Sequence, residues 1–161
     1  MSDIVVDGRT RVAWVPTIAN IQEPTEAELN AGTLIHDLLI PTGLEGFEAS
    51  PSSVDNSAFG STFDTSLPGR DSYSNTALVL KKQAGVDAVF ALLSARDTDG
   101  FVVIRNELLR GADWDSDQPL EVYPVRTGTH SFLNRGEKNT VLRYRIPTPI
   151  SSQPALHAAV A

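Results

Sequence analysis

The stretch from Val54 to Tyr73, VDNSAFGSTFDTSLPGRDSY, limits most what this chain can fold into. It carries neither the two-residue alternation of a strand nor the 3.6-residue stripe of a helix. Gly60, Pro68, Gly69 and several Ser, Asp and Asn favour turns, yet Phe59, Phe63 and Leu67 recur at every fourth position. Long stretches without secondary structure are uncommon in compact domains and are either functional or disordered. Disordered segments are poor in aromatics, and this one holds Phe59 and Phe63 and ends on Tyr73. The reading is a long interaction loop, about residues 55–72. It folds down onto its own domain or onto a neighbouring copy.

The flanking sequence reads mainly as β. Arg11–Val15 alternates and is stopped by Pro16. Phe101–Ile104 is apolar on both faces, as a buried central strand requires. In Leu120–Arg126, Pro124 has no N–H to donate, which predicts an edge or a bulge there. Thr140–Ile146 places Leu142, Tyr144 and Ile146 on one face and Arg143 and Arg145 on the other. Leu78–Lys81 opens a further strand, with weaker candidates at Leu34–Leu39 and Leu44–Ala49. One amphipathic helix is predicted over Gly85–Arg96, where Val86, Val89, Phe90 and Leu93 form a single stripe. Asp87 in its first turn and Arg96 at its end match the helix dipole. Thr25-Glu26-Ala27-Glu28 is a capping box that starts a shorter helical turn, with Gly32 as its stop. The fold class implied is a β-sandwich or barrel with one flanking α-helix; an ordinary α+β domain is the alternative.

Composition narrows the function. The chain has 161 residues, which suits one domain, and its 41% apolar content is enough for a core. A net charge of −7 disfavours phosphate gripping, because nucleic-acid affinity comes from cations that displace counterions. With no Cys, there is no disulfide, thiolate nucleophile or Cys-ligated metal. No signal peptide is visible at the N-terminus, and no run approaches the ~18 apolar residues of a membrane span. His36, His130 and His157 have no metal-ligand spacing. His36 and Asp37, if on a strand, would point to opposite faces. Asp113–Asp117 resembles the start of a calcium loop, but Gln118 and Pro124 stand where that loop needs Gly and Glu. It reads as an acidic turn. There is no phosphate-binding glycine motif and no nucleophile elbow. The sequence therefore implies no enzyme, no cofactor and no metal.

The ordered motifs have a parallel. Val12-Ala13-Trp14-Val15-Pro16-Thr17-Ile18-Ala19 is followed by Pro24–Gly32, then Phe63-Asp64-Thr65-Ser66-Leu67-Pro68-Gly69-Arg70. Asp99–Arg105, Glu121–Arg126 and Gln153–Ala161 complete the series. Over roughly Thr10 to Ala161 the chain resembles the major tail tube proteins of long-tailed, non-contractile bacteriophages, particularly the small actinobacteriophage variety. That resemblance implies a structural virion protein, assembled in the bacterial cytoplasm. Its members stack as hexameric rings into a tube that conducts DNA during ejection. The implied partners are further copies of the chain and the tip, terminator and tape-measure proteins, with DNA passing through the lumen unbound. The expected organisation is a single tail tube domain over 1–161, with an N-terminal arm about 1–9 and a C-terminal tail about 148–161 as contact elements. Phe59, Phe63, Leu67, Arg70 and Tyr73 are the candidate self-assembly residues. Two other readings stay open: a ring-forming terminator or secretion-tube protein, and a monomeric β-sandwich binding module.

Overall fold

The computed structural model describes residues 1–161. Five antiparallel strands form one sheet in the order β11 (Ala155–Ala159), β8 (Pro119–Arg126), β7 (Asp99–Arg105), β1 (Arg11–Val15) and β2 (Thr33–Leu34). Four more form a second sheet, in the order β3 (Leu39–Glu45), β6 (Ala77–Lys81), β10 (Arg143–Pro147) and β9 (Ser131–Leu133). β4 (Ser50–Asp55) and β5 (Ser66–Ser72) pair only with each other. The two helices, α1 (Glu26–Asn30) and α2 (Ala88–Leu93), are short. The fold is mainly β, as the sequence implies, with a short helix after the Thr25 capping box and a second that is shorter than the Gly85–Arg96 stripe.

Period-two alternation sends neighbouring residues of the five-stranded sheet to opposite faces. Val12, Trp14, Val102, Ile104, Tyr123 and Val125 face the second sheet, where Leu78, Leu80, Tyr144 and Ile146 meet them. Ala13, Val15, Val103, Leu120 and Val122 face the other way, onto Ile18, Leu29, Trp114, Ala155, Ala158 and Val160. The five-stranded sheet is thus buried on both faces, which is why Phe101–Ile104 has no polar side. Leu29 of α1 helps to cover the outer face. The capping box holds that helix in place: Thr25 Oγ1 accepts from Glu28 N–H, and Glu28 accepts from Thr25 N–H at 2.9 Å and from Ala19 N–H at 2.9 Å.

Several sequence expectations are corrected. The Val54–Tyr73 stretch is not a structureless loop: β4 and β5 turn it into a hairpin whose ladder pairs Val54 with Leu67. Strand propensity is weak there, and cross-strand hydrogen bonds define it. Only Ala88–Leu93 of the predicted Gly85–Arg96 helix is helical. Asp87 is its N-cap, accepting from Phe90 N–H, and Val86 is fully exposed ahead of it. The residues after Pro147 are not a loose tail, because β11 pairs with β8 and buries Ala155, Ala158 and Val160. Leu142 lies before β10 and is exposed, not on the buried face with Tyr144 and Ile146. Gly32 does not stop α1 by a left-handed turn; Ala31 caps it, and a Cβ on Gly32 would meet Trp14 O at 2.8 Å. Pro124 lies inside the sheet, yet its carbonyl accepts from Ser151 N–H in the stretch where β11 has not yet begun. The missing proline N–H therefore costs no ladder bond with β11.

Trp14 decides one other position. A Cβ on Gly100 would lie 2.2 Å from Trp14 Cζ2, so the indole lies directly on bare backbone of the central strand. Gly100→Ala should destabilise the fold by about 1–3 kcal/mol through overpacking. Chemical denaturation checks this, with Gly60→Ala, where a Cβ meets nothing within 4 Å, as the neutral control.

Candidate assembly surface

The hairpin presents its apolar residues to solvent. Phe59 and Phe63 sit in the tip at 110% and 73% exposure, and Leu67 on β5 is 53% exposed. Val54, Leu67's cross-strand partner, is 49% exposed and completes the patch. Val54 carried no signal in the sequence, because it stands alone among serines. The tip is ordered by short polar contacts: Asp55 accepts from Ser57 N–H at 2.8 Å, and Ser57 Oγ accepts from Thr65 N–H at 2.9 Å. The Ser57 N–H and hydroxyl bonds hold the Asp55 carboxyl below its ordinary range.

Tyr73 belongs elsewhere. It is half-buried at the hairpin base and meets Tyr123 edge-to-face at 6.0 Å, as Phe47 does at 5.0 Å. It anchors the hairpin to its own core, apart from Phe59 and Phe63 at the tip. Arg70 is exposed on β5. With Asp71, Tyr73, Ile150, Gln153 and Leu156 it lines an open cleft of about 540 Å³ between the hairpin base and the segment before β11.

The N-terminal arm is the second exposed element. Ile4, Val5 and Val6 are 55%, 68% and 70% exposed. Its root is fixed where Gly8 O accepts from Arg110 N–H at 2.8 Å and Arg9 donates to Glu107 O at 3.1 Å. The loop that receives it is held by two buried arginines that face each other across β1 and β7. Arg105 donates to the carbonyls of Leu109, Ala112 and Asp113 and to Gln118 Oε1, and Arg11 donates to those of Arg110 and Ala112. Both guanidiniums stack on Trp114, with centroid distances of 4.6 Å and 5.1 Å. Neither forms an ion pair with a carboxylate. Burial, followed by the neighbouring Arg11 charge, lowers the Arg105 pKa. The arm therefore leaves from the Arg11–Arg105 end of the five-stranded sheet. The hairpin base is tied to the other end of β8, through the Thr76–Thr148 and Arg126–Pro149 hydrogen bonds.

The histidines form no reactive constellation. His36 is in a turn, not a strand, and its ring is buried with Nε2 3.6 Å from Asp37 Oδ2. The two are thus brought together where a strand would have parted them. Burial depresses the His36 pKa, opposed in part by Asp37 and reinforced by Arg11 and Arg110. His130 packs edge-on to Phe90 and Phe132, and His157 is exposed on β11. No group of three or more His, Cys, Asp or Glu is placed to hold a metal ion. No helix is long and apolar enough to cross a membrane.

The molecule is a doubly covered sandwich that holds out a hairpin and an arm, and this fold has a counterpart among solved structures. The chain is similar to a chain of the "Cryo-EM structure of the anti-feeding prophage (AFP) baseplate, 6-fold symmetrised", with TM-score 0.62, 11% identity and 98% of each chain covered. A search of curated proteins found no match. A family model described as phage tail tube protein matches residues 1–161, and the chain belongs to that family. It is a structural component of a virion tail.

Two outcomes follow for this surface. Arg105→Met should cost about 2–4 kcal/mol, because buried carbonyls lose a charged donor. Hydrogen exchange should show the 106–118 loop and the arm root losing protection first. His36 is neutral in the folded chain and protonates more readily when unfolded. Its contribution is present above the ordinary histidine pKa of about 6.5 and is lost as pH falls through the depressed folded value. Between about pH 7.5 and 5 stability should fall by at most about 1.4 kcal/mol per pH unit from this group. Urea midpoints across that range should flatten in His36→Gln.

Proposed function

We propose that this chain is the major tail tube protein of a long-tailed, non-contractile phage, of the small actinobacteriophage variety. As one domain it forms hexameric rings in the host cytoplasm. The rings stack into the tube that conducts DNA at ejection, alongside tip, terminator and tape-measure proteins. The observation that carries this reading is the pair of exposed apolar elements, hairpin and arm, rooted at opposite ends of the five-stranded sheet. A head-to-tail contact between opposite ends is heterologous and generates open filaments. The six-fold symmetry of the fold's baseplate neighbour supports the ring number. Free strand edges at β3 and β9 give each copy somewhere to meet the next around a ring. Six copies at −7 give a ring of about −42, and an acidic or neutral lumen lets DNA slide where cations would brake it.

Negative-stain electron microscopy with light scattering across a concentration series tests the proposal. Stacked rings with six-fold end views are expected, and a chain that stays monomeric at every concentration overturns it. Phe59→Ser with Phe63→Ser should raise the assembly threshold at least about tenfold, given ~1.5–3 kcal/mol per buried aromatic. The circular dichroism spectrum should not change.

A further inference from the structure

We infer that the acidic hairpin of one copy docks on a basic corner of the four-stranded sheet of a second copy, which deepens the assembly reading above and rests on it. The corner lies where β6, β9 and β10 end together. Lys81 stands directly opposite Arg143 in the β6–β10 register. Arg135 and Lys138 lie in the connection from β9 to β10. None of these four cations forms an ion pair. Like charges facing each other on a sheet repel, and here no carboxylate relieves them. Arg143 Nε is moreover buried with no hydrogen-bond partner. Glu137 is the one acid in the connection, bonded to Asn134. A chain of net charge −7 thus keeps a local excess of positive charge at this corner.

The hairpin has the opposite character. Glu48, Asp55, Asp64 and Asp71 stand on it or at its base against Arg70 alone, and none of the four carboxylates is ion-paired. Asp55 and Asp64 line one shallow cleft where the ladder gives way to the tip that carries the exposed Phe59 and Phe63. The corner matches this pattern of charge and grease. Val141 and Leu142 are 53% and 42% exposed at its edge, and Leu142 is tied to it by a 2.8 Å bond from Lys82 N–H to its carbonyl. Acid plus aromatic on one element meets base plus aliphatic on the other. Such complementarity fixes register and excludes wrong partners more than it adds raw affinity. It also removes unpaired cations from any surface that DNA would meet.

A charge swap tests the contact, using assemblies of the full chain. Lys81→Glu with Arg143→Glu, and separately Asp55→Lys with Asp64→Lys, should each raise the assembly threshold at least about tenfold. Mixing the two folded variants should restore the assembly threshold to within about threefold of wild type. Because the chain has no cysteine, Asp64→Cys mixed with Lys138→Cys should give an intersubunit disulfide under mild oxidation. Thresholds that do not move, or a mixture that does not recover, overturn this contact while leaving self-assembly standing. A wild type that never assembles overturns both. Binding of duplex DNA by wild type that is lost in Lys81→Glu/Arg143→Glu would assign the corner to nucleic acid and overturn the proposal.

Discussion

The five-stranded sheet must be covered on both faces, and the rest of the molecule follows from that. β7 lies between β1 and β8, with Val102 and Ile104 turned to the second sheet and Val103 turned away from it. An apolar strand of this kind cannot leave either face in water without losing ~1.5–3 kcal/mol per large side chain. One cover is the second sheet. The other is assembled from fragments: the segment after β1 with Ile18 and Ile21, α1 with Leu29, and the Trp114 loop. This explains why so short a helix as α1 carries a capping box bonded three ways through Glu28.

With both faces of the five-stranded sheet covered from within, the hairpin tip stays in solvent and Phe59 and Phe63 stay exposed. Only the hairpin base is anchored, through Tyr73 and Phe47 on Tyr123. Beyond Ser72 the ladder is two strands wide, and a two-stranded hairpin is marginal in water by itself. The Asp55–Ser57–Thr65 bonds order the tip without burying it. An element so built gains its stability from what it touches outside its own domain. The arm shows the same division: a root pinned at Gly8 and Arg9, and Ile4–Val6 left in solvent.

What was legible in the sequence was what local pattern determines. Phe101–Ile104 announced a doubly buried strand, Arg11–Val15 and Leu78–Lys81 fell within one residue of their strands, and Thr25–Glu28 specified its cap outright. The hairpin was missed because Ser50–Asp55 and Ser66–Ser72 have neither alternation nor β propensity, and only pairing makes them strands. The predicted helix is longer than the one that forms, because the stripe from Val86 continues a period that Asp87 interrupts as N-cap. The four-residue spacing marks Phe59, Phe63 and Leu67 in the sequence, and the hairpin, not a helical repeat, is what exposes them. The edge-on contact of Tyr73 with Tyr123 joins residues fifty positions apart, which no local pattern shows. The Arg11–Trp114–Arg105 stack was invisible for the same reason, since register alone places the two arginines opposite each other.

The arginine stack also separates fold stability from assembly. Its guanidiniums are satisfied by carbonyls and an aromatic face within one chain, so added salt has little to screen there. Unpaired charges on the exposed corner and hairpin are different, because their interaction crosses solvent and decays within a Debye length of about 8 Å at physiological salt. High salt should therefore leave the sandwich intact while weakening attraction between copies. Net charge acts in the opposite direction and most at low salt: like-charged copies at −7 repel at long range and attract only when an acidic hairpin meets a basic corner. Long-range repulsion with one short-range, oriented attraction keeps free subunits apart and lets only a correctly registered neighbour add.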